Sequence, residues 1–334
     1  MKSHLFCMLL GFACPHHSLS QSDHGSFTDY QEVQAFITDA SKAGLGSPQQ
    51  LQALFSQAEF QPAVLQAMSA PAEQSDWRSY QKIFLNDERL QRGLAFWNAH
   101  QAALQRAEHL YQVPASIIVA ILGVETLYGR KTGHYRALDS LSTLAFDYPP
   151  RSRFFRLELL AFLQLCQQQH LEPDKITGSY AGALGYPQFM PSSWLNMAVD
   201  FDQDGHIDLL NDADDAIGSI AHYFQQSGWK SGPVAIKATL QGNDYDKELN
   251  STLAATAPLS HWATLGLTPA TPGSLPASTL ANVLRLHGDH GNEYWFAFGN
   301  FYAITQYNHS VLYAMAVWQL SQALENAAIH KSGL

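Results

Sequence analysis

Charge, and positive charge above all, is scarce in this chain. Only 14% of its 334 residues are charged, and 19 basic residues face 29 acidic ones, for a formal net charge of -10. A phosphate backbone selects for clustered Lys and Arg, and no basic stripe occurs, so nucleic acid is excluded as the main partner. Cysteine is rarer still, with three in all, Cys7, Cys14 and Cys166. The first two fall in an N-terminal leader, which leaves Cys166 alone and makes an internal disulfide impossible. Its setting, Leu159-Leu160-Ala161-Phe162-Leu163-Gln164-Leu165-Cys166, suits a small buried apolar residue rather than a nucleophile. Long apolar runs are also missing. Residues 5–13 follow Lys2 and are too short to span a bilayer, but they match the apolar part of an export signal. Residues 1–20 are therefore expected to be removed, with Ser18-Leu19-Ser20 as the cleavage site. Cys14 after Gly11-Phe12-Ala13 offers a lipoprotein leader as the alternative, although Leu10 stands one place too far upstream and Pro15 follows.

The remaining length allows two or three domains. Residues 21–112 carry helical stripes, with Val33, Phe36 and Ile37, then Leu51, Leu54 and Phe55, then Leu90, Leu94 and Trp97, broken at Gly44-Leu45-Gly46-Ser47-Pro48 and Ser69-Ala70-Pro71. Helices continue over 113–230, interrupted by a Gly- and Pro-rich loop at 177–193 and an acidic loop at 200–215. After Lys230-Ser231-Gly232-Pro233 the alternation Val234-Ala235-Ile236-Lys237-Ala238 predicts a strand, and turn signals recur to Gly299. Residues 231–299 thus form a small strand-containing insert. A last helical stripe, Tyr313, Ala314, Val317, Trp318, Leu320 and Ala323, marks 300–334. The expected class is mainly α, with an α+β character from the insert.

The most informative residue is Glu125. It ends the apolar run Ile117-Ile118-Val119-Ala120-Ile121-Leu122-Gly123-Val124, and no basic residue follows before Arg130. Pro114 and Gly129 frame a buried helix over 114–128, on which Glu125 shares a face with Ile118, Ile121 and Leu122. A carboxyl group among hydrocarbon holds its proton to higher pH, which makes a catalytic acid. The alternative is a helix-end Glu facing solvent. The loop Gly178-Ser179-Tyr180-Ala181-Gly182-Ala183-Leu184-Gly185-Tyr186-Pro187-Gln188-Phe189-Met190-Pro191-Ser192-Ser193 adds close-approach glycines, aromatic faces that stack on sugars, and uncharged hydrogen-bonding groups. By itself it could also be an ordinary connector.

Taken together, Gly123-Val124-Glu125-Thr126, Gly129-Arg130 and 182–193 closely resemble the lytic murein transglycosylase B family, and the likeness extends over nearly the whole mature chain. It includes Tyr80, Phe96-Trp97-Asn98, Asp139, Phe146-Asp147-Tyr148-Pro149, Asp215-Ala216-Ile217-Gly218-Ser219 and 300–308. The resemblance implies a lysozyme-like catalytic core that cleaves the bond between N-acetylmuramic acid and N-acetylglucosamine in peptidoglycan. Glu125 would act as acid and then as base, leaving a 1,6-anhydro sugar. It also implies that Ser179 positions the acetamido region, that Gln188, Tyr80, Tyr223, Tyr302 and Tyr307 bind sugar, and that Arg151 meets a peptide or lactyl carboxylate. For each tyrosine, core packing is the alternative. The expected setting is the periplasm, as a monomer, free or anchored to the outer membrane by a lipid, with glycan strands and wall-synthesis or remodelling proteins as partners. Leu127-Tyr128 stands where relatives often have Arg-Trp, Pro150 occupies one of two adjacent basic positions, and Pro187 replaces a frequent glycine.

A second constellation, Asp200-Phe201-Asp202-Gln203-Asp204-Gly205-His206-Ile207-Asp208, has the spacing of an EF-hand calcium loop. Oxygen ligands at Asp200, Asp202 and Asp204 would be joined by the His206 carbonyl, but Asn211 stands where a bidentate Glu is usual. The resemblance implies that a later aspartate completes a structural calcium site, Asp215 by alignment and Asp214 by loop counting; Asp215 is favoured. A solvated acidic turn is the alternative. His287, Asp289, His290 and Glu293 fit no metal spacing and read as a polar turn. Two other functions stay open: a muramidase-type hydrolase with Asp139 or Asp147 as second carboxylate, and a glycan-binding protein without catalysis.

Overall fold

The computed structural model describes residues 26–69, 76–242, 253–273 and 275–332. The export signal, its cleavage site and Cys14 lie outside the described residues. The chain enters through short helices whose starts are written in the sequence. These are α1 (Gln31–Lys42), α2 (Pro48–Phe55), α3 (Pro62–Ser69), α4 (Trp77–Phe84), α5 (Asp87–Ala99) and α6 (Gln101–Tyr111). Ser47 and Gln50 cap α2 reciprocally behind Pro48, Asp76 caps α4, and Asn86 caps α5 through the Arg89 N–H. The stripe Val33, Phe36 and Ile37 is buried as expected.

Helix α7 (Ala115–Thr126) is buried at every position. An all-apolar helix needs cover on all sides, and α5, α6, α11 (Ala213–Gln226) and α14 (Val311–Ser332) supply it. Around this axis, α8 (Ala137–Asp147) pairs with α9 (Ser152–Gln168), and the two-residue strands β1 (Tyr135–Arg136) and β2 (Thr177–Gly178) join antiparallel before α10 (Pro191–Met197). The main apolar core is continuous from Phe27 to Leu324, so the N-terminal helices share it with α7. Asp139 fastens the two parts: it takes the Arg136 fork at 2.7 and 2.8 Å and the Glu59 N–H at 2.9 Å.

The insert is an antiparallel sheet in the order β4-β6-β7-β3-β5, built from β3 (Ala235–Leu240), β4 (Ala257–Pro258), β5 (Leu267–Pro269), β6 (Leu280–Gly288) and β7 (Gly291–Ala297), with α12 (Leu259–Thr264). It has a small core of its own, in which Leu259, Trp262, Leu267, Val283 and Phe296 are buried. Its β6–β7 hairpin reaches back to α4, where Asp289 meets Arg78 at 3.6 Å and Lys82 at 3.2 Å. Glu293 takes the Trp295 indole N–H at 3.3 Å, so these acids serve packing contacts. Helix α13 (Gly299–Tyr307) then packs on α14, which covers α7.

Candidate active site

Glu125 occupies the last turn of α7 and is 7% exposed. The Tyr313 hydroxyl, brought by α14, donates to its Oε1 at 2.6 Å. Sequence reasoning placed Tyr313 in an apolar core stripe. The signal it passed over was the phenol, since a buried hydroxyl requires a polar partner.

The helix stops earlier than its expected end at Tyr128. Leu127, Tyr128 and Gly129 all take left-handed backbone, with φ of 51°, 61° and 79°. Two non-glycine residues in that region are costly, and tertiary contacts hold them there. Thr126 Oγ1 accepts the Gly129 N–H at 2.9 Å and donates to the Tyr186 carbonyl at 3.0 Å. The Tyr128 ring fills a slot where a Cβ on Gly93 or Gly123 would lie 2.4 or 2.5 Å from its hydroxyl oxygen. The Thr126 bond therefore brings the glycine loop to within one residue of Glu125.

That loop is a closed structure. Leu184 and Phe189 exchange backbone bonds at 2.8 and 3.1 Å, and Ser179 Oγ accepts the N–H groups of Ala181 and Ala183 at 3.2 and 3.0 Å. Those two bonds leave the Ser179 O–H to donate. Gln188, itself at φ 51°, uses its amide nitrogen on the carbonyls of Thr132 (3.0 Å) and Gly185 (2.9 Å), leaving its side-chain oxygen for a ligand.

Beneath the loop lies an aromatic bed. Tyr307 donates to the Pro187 carbonyl and Tyr223 to the Gln306 carbonyl, both at 2.6 Å, with their rings 4.9 Å apart. Tyr307 has 0% exposure. Sugar contact by Tyr307 is thus corrected: it braces Pro187 from behind. Tyr223, Tyr302 and Tyr80 keep only 4%, 7% and 8% exposure, so they can offer a ring edge but no stacking face. Burial pushes the Tyr302 hydroxyl up to about 12, against the Asn282 side chain beside it. Tyr80 packs between Trp77 and Phe84 on α4. Arg151 is half-buried, its guanidinium 4.3 Å from the Phe154 ring centre, and burial draws its pKa down against the pull of Tyr148 and Glu158. Glu158, overlooked in the sequence, is 3% exposed and accepts both the N–H and the hydroxyl of Ser192, at 3.0 and 2.7 Å.

The chain matches the family described as the transglycosylase SLT domain over residues 28–322. It belongs to that family. It is 41% identical over 326 residues to the membrane-bound lytic murein transglycosylase B of Escherichia coli (strain K12), covering 94% of this chain and 88% of that protein. The structure of the Escherichia coli lytic transglycosylase Slt35 in complex with calcium is similar at 42% identity and a TM-score of 0.83, over 91% of this chain and 96% of that one. Pseudomonas aeruginosa SltB3 in complex with NAG-anhNAM-pentapeptide is similar at 31% identity and a TM-score of 0.75, over 90% of this chain and 80% of that one. The mainly α, lysozyme-like fold is that of its lytic transglycosylase neighbours.

In this transglycosylase the acidic loop brings one carboxylate oxygen each from Asp200, Asp202 and Asp204 within 4.8 Å of one another. Oxygens around one calcium at about 2.3–2.6 Å lie no more than ~5 Å apart, so the triad has the right spread. Asp200 also accepts the Gln203 and Gly205 N–H groups at 2.7 and 3.0 Å, which folds the loop tightly at Gly205. The Asp204 N–H bond lowers the Asp202 pKa, but partial desolvation within the loop and repulsion from Asp204, Asp212 and Asp200 outweigh it and raise it. Asp214 and Asp215 point apart. Asp214 pairs with His100 at 2.8 Å, whereas Asp215 is 2% exposed and accepts the Phe201 and Asp208 N–H groups at 2.6 and 2.8 Å. Asp215 therefore sits under the loop and both its oxygens hold loop backbone. His206 donates its backbone N–H to Asp204 at 2.8 Å. Of the candidate second carboxylates, Asp139 is taken up by Arg136 and Glu59, and Asp147 lies at the other end of α8, beside Tyr30.

Proposed function

We propose that this enzyme cleaves the MurNAc–GlcNAc β-1,4 bond of peptidoglycan, using Glu125 first as acid and then as base. The carboxyl gives its proton to the leaving glycosidic oxygen as the C1–O bond breaks. The carboxylate then takes the proton of the C6 hydroxyl as that oxygen closes on C1, so a 1,6-anhydro ring forms and no water is consumed. One group can serve twice only where its two protonation states are both within reach. The observation that carries the reading is a buried glutamate at a helix end, held by the Tyr313 hydroxyl and adjoining the glycine loop. Ser179, with its O–H left to donate, suits an acetamido carbonyl, and the Gln188 side-chain oxygen suits a sugar hydroxyl. Arg151 would meet a lactyl or peptide carboxylate. A NAG-anhNAM-pentapeptide in the related SltB3 agrees with this chemistry. The engagement of Asp139 weighs against a hydrolase that depends on it as second carboxylate.

In the same reading, Asp200, Asp202, Asp204 and the His206 carbonyl hold a structural calcium, with Asp215 supporting their backbone from below. Residues 113–230 with 300–334 form the catalytic core, 21–112 a helical N-terminal domain and 231–299 an insert, which the separate apolar core of the sheet supports. The protein would be exported to the periplasm and work on glycan strands as a monomer, beside wall-synthesis or remodelling proteins. The membrane-bound name of the Escherichia coli relative favours a lipid anchor. Mass analysis of digested murein should find 1,6-anhydromuramyl ends, and Glu125→Gln should lower turnover by about 1,000-fold or more while glycan binding persists. Reducing muramic ends, or an active Gln variant, would reject the mechanism.

A further inference from the structure

Arg89 is a buried cation that the chemistry above does not use. It lies on α5 at 6% exposure, and among the described residues no carboxylate lies within ion-pair distance of it. Its neighbour Glu88 instead bonds Arg92 at 2.9 Å. The guanidinium rests 5.0 Å from the Phe84 ring centre, and one amino group donates to the Gly123 carbonyl at 3.4 Å, while its Nε has no partner among the described residues. Burial of this kind draws an arginine's pKa down, which measures the cost of keeping it charged there. A long hydrogen bond and a ring face offset little of that cost.

What the arrangement secures is the end of the catalytic helix. Gly123 stands two residues before Glu125, and its carbonyl belongs to the negative pole of α7, where a cation is favoured. The Arg89 backbone carbonyl in turn accepts the Tyr128 hydroxyl at 2.9 Å. Tyr128 is the second of the three left-handed residues that stop the helix, and its ring lies in the slot lined by Gly93 and Gly123. One residue of α5 therefore holds the last turn of α7 through its side chain and the following turn through its backbone.

We propose that Arg89 is a positioning residue for Glu125, clamping the end of α7 so that the carboxyl is presented at a fixed place beside the glycine loop. The proposal rests on Glu125 as the proton carrier, and it involves no contact between Arg89 and substrate. A misplacement of about 1 Å can cost ~100-fold in rate, whereas exchanging an unpaired buried cation for an apolar side chain of similar length is commonly neutral or stabilising. The two effects separate a positioning role from a structural one.

The test is Arg89→Met in the full chain, measured by thermal melting and by steady-state turnover of soluble murein fragments. Melting should hold or rise and KM should stay within about twofold, while kcat falls by about 30- to 100-fold. Arg89→Lys, which restores a donor to Gly123, should recover part of kcat. In a double-mutant cycle Tyr128→Phe should be non-additive with Arg89→Met, because both act on one turn. Wild-type kcat at unchanged melting would overturn the proposal, as would a parallel loss of melting and activity that Lys does not relieve. Should the Met variant fail to fold, reduced kcat in Arg89→Lys at native melting supports the proposal and wild-type kcat rejects it. Anhydro ends among the residual products would leave the reading of Glu125 standing in either case.

Discussion

Two irregular segments dominate the middle of this enzyme, and they are stabilised in opposite ways. The glycine loop at 177–193 satisfies its own backbone through Ser179, Gln188 and the Leu184–Phe189 pair, and it lies on the Tyr223–Tyr307 bed. The acidic loop at 200–215 also binds its own N–H groups, but with carboxylates that crowd one another at the surface. The first needs close packing, while the second needs opposing charge. In the proposed function, the site that must hold a sugar in one pose is built on the kind of segment whose order depends on nothing added.

Glycine substitutions should separate the two loops most strongly. Gly182 has φ 80°, and a Cβ there would fall 2.4 Å from Leu141 Cδ2. Gly182→Ala meets both backbone strain and a clash and should lose about 3 kcal/mol or more. Gly205 has φ 96° with nothing within 4 Å of the added carbon, so Gly205→Ala should lose only about 1 kcal/mol. Equal losses in denaturant titrations of both variants would erase the distinction. Chelation should act on the other loop alone. Removing a cation present at 100 times its dissociation constant withdraws about 2.7 kcal/mol, so the melting temperature should drop on adding EDTA, with turnover well below melting unchanged within about twofold. A melting curve indifferent to chelator would show that the loop holds no stabilising ion.

The sequence exposed these loops and Glu125 because composition alone marks them: an acid ending a run of hydrocarbon, aspartates alternating before a glycine, glycines spaced with aromatics. What it concealed was set by contacts distant along the chain. Leu127 and Tyr128 carry no local signal for left-handed backbone; the slot between Gly93 and Gly123 imposes it. Tyr313 passes for core because its ring is buried and only its oxygen reaches Glu125. Arg89 stands in the polar run Asp87-Glu88-Arg89-Leu90-Gln91-Arg92 and so reads as a solvated residue. Asp214 and Asp215 are separable only in three dimensions, since neighbours on a helix point about 100° apart; one faces His100 and the other the loop. Tyr307 shares the motif of residues read as sugar-binding yet lies wholly behind it, because a motif preserves order along the chain and says nothing of depth.

The smallest expected effect tests whether the glycine loop is free of electrostatic cost. Its end at Ser192 is held by a buried acid on α9, Glu158, whose pKa burial raises above the ordinary 4.5 despite two bonds from Ser192 and the nearby Arg151. A carboxyl with a raised folded pKa binds protons more tightly in the folded state. Its contribution to stability is therefore fully present below the unfolded value and lost as pH rises through the folded one. Glu158→Gln keeps an acceptor for Ser192 and removes the titration. The variant should show a flatter decline of unfolding free energy from pH 4.5 upward than the parent, measured by urea titration at several pH values. Parallel curves would mean that Glu158 ionises as readily in the fold as outside it, and the glycine loop would then be free of the electrostatic cost that the acidic loop carries.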